Sequence, residues 1–282
     1  MTKSEPDLSA IRNEIDELDK SLHELLMRRA EIIERVKVAK TGSDISAYRP
    51  RRESEVLKQL VERHSGKFPV VSICRIWREI MAASVVMQDK FSCAVWEGNN
   101  GIFRTIARNH FGAVTPLHFY SSPVRVLNAV SQGETVVGLL PMPQQDDLSP
   151  WWPSLYGSDI NRVAICGSVP RYGFEIDAGA IIVGNIGLEE SSLDNIYLII
   201  ETDGSLSQSG LRNVLKRLDL EIRSLFQDPM SSRVEGRALF LAKIKGFGRV
   251  IRSLEADILK ISGAVKNVVF IGTSFQSLKE TE

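Results

Sequence analysis

Apolar residues recur at alternating intervals of three and four from the start of the chain: Leu8, Ile11, Ile15, Leu18, Leu22, Leu25, then Ile32, Val36 and Ala39. This spacing predicts one long helix, opening near Asp7 as N-cap and stopping around Thr41-Gly42, with a single buried stripe. Where the next seam residue is due, the chain carries Arg29. A second stripe, Val70, Ile73, Trp77 and Ile80, runs on into Ser84 and Gln88. Between them Pro50 fits the first turn of a helix that runs to about His64, and Gly66 and Pro69 break the chain before the third helix. Polar side chains on a buried stripe cost free energy unless something satisfies them, and an anion with several oxygens would do so. A helix from residue 8 to 40 is about 50 Å long, more than two shorter helices of the same chain can cover. It is therefore expected to pack against a second copy, as a homodimer.

From Phe91 the period changes. Ser92 to Trp96, Val114 to Tyr120 and Thr135 to Leu140 read as buried strands separated by helices over 101–111 and 123–132. That order implies a parallel α/β layer, closed by strands near 162–167 and 179–184. Between them lies a loop rich in proline and tryptophan (Pro141, Pro143, Pro150, Trp151, Trp152, Pro153), read as an ordered connection. The last section has strands at 195–202, 221–226, 237–245 and 266–273, with helices at 207–218 and 248–261. This is the βαββαβ order of a ferredoxin-like unit. The expected architecture is multidomain α and α/β: a three-helix section over 1–90, an α/β section over 91–190 and a βαββαβ section over 191–282.

Composition narrows the class. Of 282 residues, 43% are hydrophobic and 25% charged, and 35 basic side chains balance 35 acidic ones. There is no global basic field to argue for nucleic acid. The opening residues carry no apolar core of a signal peptide and no apolar run approaches a membrane span, so a cytoplasmic protein is expected. Cys74, Cys93 and Cys166 are far apart and read as reduced thiols. His23, His64, His110 and His118 have no ligand-like spacing and read as structural or solvent-facing.

The candidate chemistry lies in the helical section. Arg29 and Lys40 are eleven residues apart, so they face nearly the same way about 16 Å apart along the axis and could span a ligand between them. Arg12 is seventeen residues before Arg29, roughly 25 Å away, and could reach such a ligand only from an antiparallel partner. Ser84 and Gln88 share one face of the third helix. Arg52 and Glu53 open the second helix, where the chain returns toward the end of the first. Together these make a cationic pocket with one carboxylate, suited to a dianion that also carries a hydroxyl.

These residues resemble the all-helical class of chorismate mutases. The matching stretches are Ile11-Arg12 with Ile15-Asp16 and Leu18-Asp19, Leu25-Leu26-Met27-Arg28-Arg29, Val38-Ala39-Lys40, Tyr48-Arg49-Pro50-Arg51-Arg52-Glu53, and Ser84 with Gln88. The resemblance implies rearrangement of chorismate to prephenate in aromatic amino-acid biosynthesis, a pericyclic step needing no nucleophile, metal or cofactor. It implies that Arg29 and the partner chain's copy of Arg12 hold carboxylates, and that Lys40 and Gln88 donate to the ether oxygen. Glu53 would accept from the substrate hydroxyl, Arg52 would orient this network, Ser84 would assist at a carboxylate, and Arg49 would contact ligand through its backbone. Isochorismate pyruvate-lyase uses a related pocket, and a metabolite sensor without turnover is a third reading.

The order of the three sections resembles bifunctional chorismate mutase–prephenate dehydratases. Trp96-Glu97-Gly98, Ile106-Ala107 with Phe111-Gly112, and Val137-Gly138-Leu139-Leu140-Pro141 are similar to the dehydratase's first lobe, and the last section resembles an ACT regulatory domain. The dehydratase's Thr-Arg-Phe triplet occurs nowhere, and Gln227-Asp228-Pro229-Met230 stands about where ACT domains of this type carry Glu-Ser-Arg-Pro. The expectation is a mutase whose C-terminal region is structural or regulatory and lacks dehydratase activity, with the true bifunctional enzyme as the alternative.

Overall fold

The computed structural model describes residues 7–42, 46–98, 100–157, 163–170, 179–187, 194–231, 236–246 and 251–275. The polar opening residues 1–6 and the expected helix start at Gly248 lie outside the described residues.

Helix α1 spans Leu8–Ala39. The Asp7 carboxylate caps it by accepting from the Ser9 N–H at 2.9 Å, which satisfies one of the orphan donors of the first turn. The apolar seam expected to be buried is open: α1 contains no buried residue, and Leu18, Leu22 and Leu25 are 64%, 58% and 62% exposed. Helix α2 (Pro50–Arg63) begins on its proline, and helix α3 (Val70–Gln88) follows. They share a small core of Leu57, Leu60, Cys74 and Met81, flanked by Val70, Ile73 and Trp77. The stripe of α3 expected to be innermost is thus only half-buried. The fully buried line runs one step round the helix, through Cys74, Arg78, Met81, Ala82 and Val85. The reason is that α3 packs on two neighbours at once: α2 on one flank and the next section of chain on the other.

The remaining elements are strand β1 (Cys93–Trp96), helix α4 (Ile102–Phe111), strand β2 (Leu117–Tyr120), helix α5 (Pro123–Ser131), and strands β3 (Val137–Pro141), β4 (Ala164–Val169) and β5 (Ala180–Gly184). Then come strand β6 (Asp194–Thr202), helix α6 (Gln208–Lys216), strands β7 (Ile222–Gln227) and β8 (Ala238–Lys245), helix α7 (Ile251–Ile261) and strand β9 (Val265–Phe275). The expected α/β section and βαββαβ section share one nine-stranded sheet, ordered β2-β1-β3-β5-β4-β9-β6-β8-β7. β2, β1 and β3 are mutually parallel, as a β-α-β-α-β run requires. The order β9-β6-β8-β7 is that of a ferredoxin-like unit, with every neighbour antiparallel.

The two parts meet where β4 runs parallel to β9, with Ile165 opposite Gly272. Gly272 has φ +133°, and a Cβ there would lie 2.0 Å from the Ile165 carbonyl oxygen. Only glycine lets the backbones come that close.

Strand alternation sends the two faces of the sheet to different cores. Ala94, Leu140, Ile181 and Val183 face α5 and the tryptophan loop, in a cluster that continues onto Tyr197, Ile199, Leu239 and Leu241. Trp151 and Trp152 are both nearly inaccessible, and the Trp151 indole N–H donates to the Pro141 carbonyl at 3.0 Å. This loop is therefore a cover for the sheet. Cys93, Val95, Val137, Leu139 and Ile182 face the other way, with Phe103, Ile106 and Phe111 of α4, and with Tyr48, Val85 and Phe91. Through Tyr48 and Val85, the helical section and the sheet share a core.

Candidate functional site

The polar residues on the apolar stripes meet between α1 and α3. Arg29 is half-buried, and one of its terminal nitrogens donates to the Ser84 hydroxyl oxygen. Burial pulls the Arg29 guanidinium below its ordinary range, since the charged form loses hydration. Ser84 is buried, and its own O–H donates to the Ile80 carbonyl at 2.6 Å. Gln88, one turn on, points its amide back so that Nε2 donates to the Ser84 carbonyl at 2.9 Å. Alongside, Lys37 Nζ donates to the Met87 carbonyl at 3.1 Å, tying the last turns of both helices together. Arg29, Ser84 and Gln88 thus form one local constellation.

Lys40 terminates α1 as its C-cap, where a cation suits the helix dipole. Its Nζ donates to the Ser46 carbonyl at 3.3 Å, so the chain that leads toward α2 holds the ammonium. Glu53 sits in the first turn of α2 at 9% exposure, and its N–H donates to the Arg49 carbonyl at 3.1 Å. Its carboxylate accepts from Arg78 Nη1 at 2.7 Å, an ion pair buried on both sides. Sequence reasoning passed over Arg78. The signal existed: Arg78 stands four residues after Cys74 and three before Met81, a charge on an apolar line just as Arg29 is. The stronger stripe through Trp77 masked it.

The other expected site residues stand apart in a single chain. Arg12 is exposed on the open face of α1, about 25 Å along the helix from Arg29. Arg52 is largely exposed, 3.8 Å from Glu55. Arg49 is the N-cap of α2, makes no side-chain cap, and contributes its carbonyl to the first turn. Among the described residues, no three His, Cys, Asp or Glu side chains stand close enough to hold a metal ion. No described helix is long and apolar enough to cross a membrane.

What this arrangement can do follows from its charges. A guanidinium partly stripped of water, an ammonium and an amide lie along one helix pair, and a carboxylate sits at the start of the next. Forked donors of this kind bind carboxylates, and a partly desolvated cation strengthens with the dryness of its surroundings.

Compared with known proteins, residues 11–89 match the family model of chorismate mutase type II. A bifunctional chorismate mutase/prephenate dehydratase of Pseudomonas aeruginosa is 30% identical over 141 residues, which is 48% of this chain and 38% of that protein. One from Neisseria gonorrhoeae is 33% identical over 103 residues, 36% of this chain and 27% of that protein. The chain therefore matches well under half the length of these relatives. Among solved structures, the prephenate dehydratase of Streptococcus mutans overlaps 66% of this chain and all of its own, at 12% identity and a TM-score of 0.48. That of Staphylococcus aureus gives 10% identity and 0.49. Likenesses as loose as these say nothing of chemistry.

Proposed function

We propose that this protein is a chorismate mutase that works as a pair of copies, each pocket formed by Arg29, Lys40, Glu53, Ser84 and Gln88 of one chain and completed by Arg12 of the other. The observation that carries the reading is the half-buried Arg29 held on Ser84, whose carbonyl accepts from Gln88, within residues 11–89 that match the family model of chorismate mutase type II. The open seam of α1 supports the pairing. A row of exposed leucines and isoleucines about 36 Å long, from Leu8 to Ile32, is stable in water only when covered, and a second α1 has the matching period.

In this reading the protein performs no covalent chemistry. Arg29 and the incoming Arg12 grip the two carboxylates of chorismate, which selects the folded conformer in which the bonding carbons meet. As the ether bond breaks, negative charge grows on its oxygen. Lys40, keeping one of its three donors on the Ser46 carbonyl, and the Gln88 amide donate to it, an interaction stronger in the transition state than in the ground state. Glu53, oriented by its ion pair with Arg78, accepts from the substrate hydroxyl. Arg52 orients this network, and Arg49 contacts the ligand through its backbone. The C-terminal sheet serves as scaffold and regulatory-type domain without dehydratase turnover, consistent with the missing Thr-Arg-Phe triplet.

Product analysis tests this. Purified protein with EDTA, given chorismate, isochorismate or prephenate in turn, should convert only chorismate, to prephenate. Pyruvate released from isochorismate would identify a lyase, and phenylpyruvate formed from prephenate would establish a bifunctional enzyme. Chorismate binding without product would make the chain a sensor.

A further inference from the structure

The segment leading into α2 is not held by the helical section alone. Tyr48 is 2% exposed, and its ring lies 5.2 Å from that of Phe91 and 5.9 Å from that of Phe111, inside the core built by β1, β3 and α4. Its hydroxyl stands 3.3 Å from Nε2 of His110, a buried histidine on α4 set edge-on to Phe111. The backbone on either side of this anchored ring serves the pocket. The Tyr48 N–H donates to the Ser46 hydroxyl at 3.2 Å, and the carbonyl of that same Ser46 receives Lys40 Nζ. One residue after Tyr48, the Arg49 carbonyl accepts the Glu53 N–H.

We propose that Tyr48 and His110 act as a positioning pair, through which the α/β section sets where the Lys40 ammonium stands. The inference rests on the mutase reading for its consequence in turnover, not for its geometry. A connecting segment is soft by itself. A tyrosine ring locked among aromatics has few ways to move, and its hydrogen bond to a buried imidazole fixes the last degree of freedom. Since a displacement of about 1 Å at a reacting group can cost about a hundredfold in rate, a segment that carries such a group gains from an external anchor. Neither Tyr48 nor His110 touches substrate in this account; both act through Ser46 on Lys40. The α/β section would then matter to the mutase even with no activity of its own.

Tyr48→Phe keeps the ring and removes the hydroxyl, and His110→Phe keeps a flat ring and removes the nitrogens. Each should lower kcat for chorismate about tenfold with little change in KM, and the double variant should be no worse than the poorer single. In a Lys40→Ala background, Tyr48→Phe should have no further effect, whereas a general loosening of the fold would still lower the rate. Undiminished kcat in both single variants, beside an active wild type, would overturn the pair. A wild type with no turnover would refute the mutase reading instead, and a second readout covers that case. Acetylation of Lys40, followed by mass spectrometry, should speed up severalfold in both variants while the exposed Lys67 labels at its usual rate. Equal Lys40 labelling in wild type and variants would overturn the proposal whatever the turnover.

Discussion

Arg29 shows how a single misplaced polarity can be read. Its position on an apolar seam points to an anion that would satisfy it; in the single chain the Ser84 hydroxyl of the facing stripe accepts from it, and Gln88 donates to the Ser84 carbonyl one turn on. Arg78 carried the same signal and was missed, because the apolar line it interrupts is exposed as a line only once α3 has two neighbours to pack on. His110 was placed among structural or solvent-facing histidines, and it is buried against Tyr48. Nothing in the spacing of the two, 62 residues apart, could have joined them. Replacing Arg29 by Ala should remove a carboxylate grip and lower kcat/KM for chorismate by two to three orders of magnitude, about 3–4 kcal/mol. The fold should be unaffected by circular dichroism. Tyr197 makes a residue-scale prediction about stability. It lies in the sheet core with its hydroxyl 3.1 Å from that of Ser274, and burial pushes its phenol from the ordinary 10 up to about 12. A raised acid pKa stabilises the fold fully below the unfolded value and loses that contribution as pH rises through the folded one. Denaturant titrations should therefore show stability falling between pH 10 and about 12, by up to about 3 kcal/mol, and Tyr197→Phe should flatten that fall.

At the scale of elements, the periodicities carried most of the information. The seam of α1, the proline start of α2 and the strand runs of the sheet lie within a few residues of their expected bounds, because each is a local pattern of side chains on one face. The joining of the two β sections was not legible. It depends on a parallel contact between β4 and β9, elements about a hundred residues apart, and on a glycine whose role appears only when the opposing backbone is in place. Gly272→Ala should force Ile165 away and destabilise the protein by about 3 kcal/mol or more, seen as a lowered Tm or a second, separate unfolding step. The seam of α1 makes the complementary prediction. Leu22→Glu should leave the chain folded, since Leu22 touches no core of its own chain, but it should break the pair. Burial of one leucine contributes about 1.5–3 kcal/mol and the change occurs twice by symmetry, so association should weaken by about a hundredfold or more in sedimentation experiments.

On the scale of the whole molecule, the proposed pairing links the uncovered face of α1 to the completion of the pocket. A single chain holds Arg29, Lys40, Glu53, Ser84 and Gln88 in place but leaves Arg12 in solvent along an apolar face that asks for a partner. In the proposed pair, two antiparallel copies of α1 would cover both seams and carry each Arg12 toward the other chain's Arg29. The sheet behind them holds the segment between Lys40 and Glu53 through Tyr48. The account is tested most directly by mixing two damaged chains. Arg12→Ala and Arg29→Ala homodimers should each be nearly inactive toward chorismate. After subunit exchange in equal amounts, half of the dimers are mixed and each carries one intact site, so about a quarter of wild-type activity should return. Mixed dimers demonstrated by mass spectrometry that recover no activity would contradict a site shared between chains.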